Sequence, residues 1–287
     1  MRKKIICAIF CAILMFCAMP FSAFADIGPK ASVSVDIKGV EGEYYITLLS
    51  LYSSTGPQSA YDGTEQSEHV YDESTRHIWQ KFVDYKDSDG FYFLQVYEKC
   101  TGADTFKWGY YPPRTFKVLL YFPESDTFIS SSVCERYAFD SYFLMEVAEN
   151  GESVSIKKSY DYTWETVSLV ARILLTIMLE IAVALLFGYR TGKEILFISA
   201  VNAVTQIALN VALNVVNFHS GQWAFTSSYI SYEFLVFALE AVLFAFLLPR
   251  FAPCKKTKKR AVLYAASANV LSFALGLWLS HIIPGIF

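Results

Sequence analysis

Residues 195–216 read ILFISAVNAVTQIALNVALNVV, and this stretch decides the architecture. The run carries no charge and matches the roughly 20 residues a helix needs to cross a hydrocarbon core. Within it Asn202, Gln206, Asn210 and Asn214 recur in steps of four, with Thr205 beside them. That spacing places the amides on one helical face. A polar stripe in lipid must face other protein or water, so one such helix implies companions.

Three more apolar stretches supply them, at about 167–187, 229–248 and 261–281. The expectation is a four-helix transmembrane bundle over 166–287. Its first span holds Arg172 and Glu180, its third Glu233 and Glu240, and its fourth Asn269 with Ser272, Gly276 and Ser280. Arg172 with Glu233 is the natural ion pair. Glu180 and Glu240 are left without a cation. Brought together, they would share a proton or a bound metal cation. The competing reading is interhelical glue, worth about 1 kcal/mol for each polar contact. The intramembrane candidates are therefore Arg172, Glu180, Asn202, Gln206, Asn210, Glu233, Glu240 and Asn269. His219, Glu233 and His281 form a weaker candidate metal site at the rim. No cofactor is called for.

Working outward, Arg2-Lys3-Lys4, an apolar run and Ala23-Phe24-Ala25 read as a secretory signal peptide over 1–25. The connection 188–194 carries Arg190 and Lys193, and 249–260 carries six Lys and Arg, whereas 217–228 carries none. Positive loops stay inside. The first and third connections are thus expected in the cytoplasm, and residues 26–165 and the C-terminus outside.

Residues 26–165 contain 12 Lys and Arg against 23 Asp and Glu. Such an acidic region excludes nucleic acid as a natural partner. Its pattern is mostly strand: 32–37 alternates, Gly39-Val40-Glu41-Gly42 turns, and 44–49 follows. Strands are also expected at 91–97, 116–122, 127–131, 142–147 and 153–159, the last two joined by Asn150-Gly151, a hairpin signal. One helix is expected over 73–85, with Ile78, Trp79, Phe82 and Val83 on its apolar side and Asp72 as cap. The domain reads as mainly antiparallel, sandwich-like β with one helix, and the whole chain as an α+β membrane protein. Cys100 and Cys134, in the exported region, are expected to form a disulfide. The acidic stretch 84–90 lacks the first and twelfth ligands of a calcium loop and reads as a plain turn. Exposed aromatics would suit a sugar or peptide, though sheet packing accounts for most of them.

The segments Asp26-Ile27-Gly28-Pro29-Lys30, Tyr45-Ile46-Thr47-Leu48-Leu49-Ser50 and Tyr110-Tyr111-Pro112-Pro113 form a group with Phe116–Pro123 and Asn202-Ala203-Val204-Thr205-Gln206. Together with Glu233 and Glu240, they resemble an uncharacterised family of signal-peptide-bearing, four-helix membrane proteins of Gram-positive anaerobic bacteria. The resemblance implies a layout and no activity. No phosphate loop, GxSxG or HExxH motif is present. The leading reading is an envelope sensor, binding or accessory protein acting through its exported domain. Its partners would be the bilayer and another membrane or envelope protein. A small transporter or channel component, oligomeric because four spans enclose little, is the alternative. An intramembrane enzyme comes last.

Overall fold

The computed structural model describes residues 29–64, 73–148, 154–251 and 257–282. The signal segment, Asp72 and the Asn150-Gly151 turn lie outside them. The chain divides into two compact units, 29–160 and a second containing 161–287.

The first unit is built on strands. They are β1 (Ser32–Lys38), β2 (Glu43–Ser50), β3 (Ser54–Thr55), β4 (Gln58–Ser59), β5 (Tyr92–Phe93) and β6 (Glu98–Thr101). Then come β7 (Thr105–Trp108), β8 (Thr115–Phe122), β9 (Thr127–Ser130), β10 (Cys134–Glu135), β11 (Asp140–Val147) and β12 (Val154–Lys158). A short helix α1 (Arg76–Asp84) follows a 3-10 turn at Glu73–Thr75.

One sheet runs β12-β11-β1-β7; the other runs β10-β8-β2-β5, with β6 also on β2 and β9 also on β8. Alternation makes the sandwich. Val33, Val35 and Ile37 of β1 meet Tyr44, Ile46 and Leu48 of β2 in one core, which Phe116, Val118 and Leu120 of β8 complete. The second sheet is buried on both faces. Its opposite side, with Tyr45, Leu49, Leu119 and Tyr121, packs on Ile78, Trp79 and Phe82 of α1. Pairing is antiparallel except between β1 and β11, which run parallel from Ser32↔Asp140 to Lys38↔Glu146. Gly39 follows β1 at φ +76°, and a Cβ there would lie 2.1 Å from the Val147 carbonyl oxygen.

The expected disulfide is absent: Cys100 and Cys134 are free, buried thiols. Register explains it. Cys100 pairs with Tyr44 on β2, while Cys134 pairs with Phe116, itself opposite Ser50 of β2. Tyr44 and Ser50 lie about 20 Å apart along a strand. A disulfide needs its Cα atoms within about 7 Å.

The second unit holds α2 (Thr163–Leu186), α3 (Gly192–Phe251) and α4 (Lys258–Ile282). Among the described residues two helices, α2 and α3, are long and apolar enough to cross a membrane, not the expected four. The expected four-helix bundle is therefore corrected. Residues 217–228, expected as a loop, stay helical except at Gly221, so the second and third stretches belong to one element.

Gly221 sits at φ 79° and ψ 178°, a conformation essentially confined to glycine. It turns α3 back on itself. Thr205 and Glu240, 35 residues apart, hydrogen-bond at 2.6 Å; in a straight helix they would be about 52 Å apart. Leu209 and Leu213 of the first arm pack with Phe225, Tyr229 and Val236 of the second. Ala261, Ala265 and Ala268 of α4 are fully buried against Val183, Ala184, Ile198 and Phe244. Small side chains allow that close approach.

Candidate functional site

The helical unit has a polar centre. Glu180 of α2 and Glu240 of α3 are at most 1% exposed. Tyr264 of α4 donates its hydroxyl to Glu180 Oε2 at 2.5 Å. Glu240 accepts twice, from Thr205 Oγ1 at 2.6 Å and from Asn269 Nδ2 at 2.8 Å. The Asn269 amide also donates to the Ala265 carbonyl, which fixes its orientation. Helical spacing explains the set. Asn202, Thr205 and Gln206 lie on the inner face of the first arm, and all are buried. Glu240 faces them because Gly221 folds the second arm back.

Asn202 donates its amide to the Ile198 carbonyl at 3.0 Å, one turn earlier. Its Oδ1 is buried with no hydrogen-bond donor. Asn210 uses the same back-bonding, to Gln206 O at 2.8 Å. Thr205 Oγ1 also lies 3.0 Å from Val201 O and 3.1 Å from Asn202 O. A hydroxyl has one proton, so these contacts compete with Glu240 for it.

Of the expected set, Glu240 and Asn269 are in direct contact, Glu180 is held by Tyr264, and Asn202, Gln206 and Asn210 are buried along the first arm. Glu233 is elsewhere. It lines a cavity of about 400 Å³ with Ile230, Phe234, Phe237, Val270 and Phe273, which Asn269 also borders. The Arg172 and His281 side chains lie outside what the structure describes. His219 packs its ring against Phe218 at 5.2 Å. Among the described residues no group of three His, Cys, Asp or Glu side chains is placed to hold a metal.

Sequence reasoning missed Tyr264. A single aromatic hydroxyl among the alanines of 261–268 was the available signal. It also missed Glu194, buried and accepting from the Arg190 and Thr191 backbone N–H groups at 3.0 Å each, while Glu194 N donates to Thr191 Oγ1. Thr191-x-x-Glu194 is a capping box that starts α3.

In the β unit two features stand out. The first is Lys117, 4% exposed, whose ammonium contacts Asp87 at 2.9 Å and Asp89 at 2.5 Å. The acidic turn therefore clamps a lysine. Asp87 Oδ2 also accepts from the Asp89 and Phe91 backbone. Burial pushes the Asp87 carboxyl up, but Lys117 and the two N–H groups outweigh it and hold it below the usual range.

The second is a tyrosine-rich end. The 50–60 segment packs on 110–115: Leu51 N donates to Thr115 O, and Thr55 Oγ1 donates to Tyr111 O. Gly56 lies against the Tyr111 ring, where no Cβ fits. Tyr111 holds φ at +50°, and its ring meets Tyr110 edge-on at 4.8 Å. Tyr52 is 69% exposed, Tyr110 44% and Tyr111 37%.

Compared with protein-family models, curated proteins and solved structures, the chain matches none. The resemblance to a four-helix membrane family is thereby withdrawn, since no family model supports it and two crossing helices replace its four. What stands is a membrane protein with at least two crossing helices and a separate β-rich domain.

Proposed function

We propose that this is an accessory binding protein of the cell envelope, whose β domain engages another envelope component. The observation that supports it is the tyrosine-rich end. Tyr52, Tyr110 and Tyr111 present rings and hydroxyls to solvent on two loops braced against each other. Tyrosine is enriched at recognition surfaces because a rigid, amphipathic ring costs little ordering entropy. A non-glycine residue at positive φ, as Tyr111 is, persists only where its surroundings enforce it. In this reading the β domain faces outward and the basic connections stay in the cytoplasm, by the charge bias of the loops.

The test uses the full chain, purified in mild detergent from membranes of its native host. The partner that co-purifies with the parent is lost from the Tyr52→Ser, Tyr110→Ser double variant at equal yield. An unchanged set of co-purifying components contradicts the reading.

A further inference from the structure

We propose that Glu180 and Asn202 form a binding site for a single positive charge, a proton or a sodium ion, inside the helical unit. The argument begins with oxygen atoms. Glu180 Oε2 is served by Tyr264, and this is its one well-formed donor among the described residues. Asn202 lies level with Glu180: Ala184 and Ile198 share one buried cluster, and one turn further along each of the two antiparallel helices stand Glu180 and Asn202. Its amide, however, is already turned to Ile198 O, and its Oδ1, on a residue 1% exposed, has no donor at all. A buried carboxylate and a buried, unserved carbonyl thus stand at one level of the helical unit.

Such a pair is costly as it stands. An unserved buried acceptor forfeits the hydrogen bonds it had in water, and a buried anion without a cation is worse. One positive charge between them serves both. A proton taken up by Glu180 from the aqueous phase lets the acid hydroxyl donate to Asn202 Oδ1. A sodium ion instead draws on the same two oxygens. No bond other than these is made or broken.

The surroundings leave that place to a ligand. Glu240, the nearest other carboxylate, has both oxygens occupied, by Thr205 and Asn269. Tyr264 spends its proton on Glu180. The other titratable or charged groups packed nearby are engaged or distant. Tyr189 stacks edge-on against Tyr264. Glu194 caps α3. Arg260 covers the end of α2 at Gly188. Arg172 lies about 12 Å along the α2 axis from Glu180. Among the described residues neither Glu180 nor Glu240 has a Lys or Arg ion pair. Among the described residues no third carboxylate, His or Cys joins them, which fits a monovalent charge rather than a divalent metal.

This inference does not depend on the tyrosine-rich end. It is tested on the full chain in detergent by thermal unfolding. One arm varies sodium chloride against choline chloride at fixed pH. The other varies pH without sodium. If sodium is the ligand, saturation raises the midpoint by about 5–10 °C, and lowering the pH competes the gain away. If the proton is the ligand, sodium has no effect, and the midpoint rises as pH falls. Either shift disappears in Glu180→Gln, and in Asn202→Leu the ligand concentration needed rises at least tenfold. Asn202→Asp keeps an oxygen at that place and retains the response, which guards against misfolding of the leucine variant. A response that survives Glu180→Gln, or that Asn202→Leu leaves unchanged while Glu240→Gln removes it, overturns the proposal. So does a parent protein with neither response.

Discussion

Lys117 and Asp87 form a two-contact ion pair at 2.9 Å, with side chains 5% and 1% exposed. The pair sits on the α1 side of β8, beside the ring of Phe91, which lies 5.1 Å from the ammonium. Nothing in the alternation of 116–122 predicts a buried charge there. It is satisfied because the 84–90 turn delivers two carboxylates to it.

Removing one partner leaves the other charge buried. Lys117→Met is expected to destabilise the β domain by about 3–5 kcal/mol, and Asp87→Asn by less, because Asp89 still pairs with Lys117. The pH dependence follows from the lowered Asp87 value. A carboxyl held below its ordinary range adds stability that is present above the unfolded value, 3.8, and lost as pH falls through the folded one. Acid unfolding below about pH 4 is therefore expected to be blunted in Asp87→Asn. Urea titrations between neutral and acid pH check this, and equal acid sensitivity of parent and variant would count against it.

The free thiols give a second expectation. Burial pushes the Cys100 thiol up to about 12 and Cys134 up to about 11. Both are expected to resist alkylation in the native protein and to react only in denaturant. Peptide mapping after labelling, with and without prior reduction, reads this directly. Protection that depends on omitting the reductant would restore a disulfide.

Gly39 and Gly42 share a positive φ but differ in space. A Cβ at Gly39 collides with the Val147 carbonyl, whereas at Gly42 nothing lies within 4 Å. Gly42→Ala is expected to cost about 1–2 kcal/mol from the backbone alone. Gly39→Ala is expected to cost clearly more, because the β1–β11 edge must also shift. Thermal midpoints of the two variants decide it, and equal losses would contradict the clash.

Gly221 carries the reversal of α3. Gly221→Ala places a Cβ in a region of φ and ψ open essentially to glycine, at about 1–3 kcal/mol. The variant is expected to lose stability in detergent and to weaken the Thr205–Glu240 contact. A midpoint equal to the parent's would show that the reversal does not rest on this residue.

Much of the β domain is legible in the residues. The alternation of 32–37 and 44–49 marks β1 and β2, and the apolar side of α1 is readable from Ile78, Trp79 and Phe82. The parallel β1–β11 pair is not, because it joins residues about a hundred positions apart and leaves no turn signal. Expected strand 91–97 shrinks to Tyr92–Phe93, since Gln95 takes a φ of +61° to bring its side chain to Trp79 and Ser59. In the helical unit the step-of-four amides mark the inner face of the first arm. The fold-back is hidden in a single glycine, and the partners of Glu180 and Glu240 depend on tertiary placement that periodicity does not carry.

The most direct test of the account places a photoreactive residue at position 52 in the full chain, in its native host. Lys99 serves as the control site, exposed on β6 about 17 Å from the tyrosine-rich end along β2. The account predicts a discrete adduct from position 52 that is absent from position 99 and is lost when Tyr110 and Tyr111 are replaced by Ser. Equal labelling from both positions, or an adduct indifferent to those tyrosines, would contradict it.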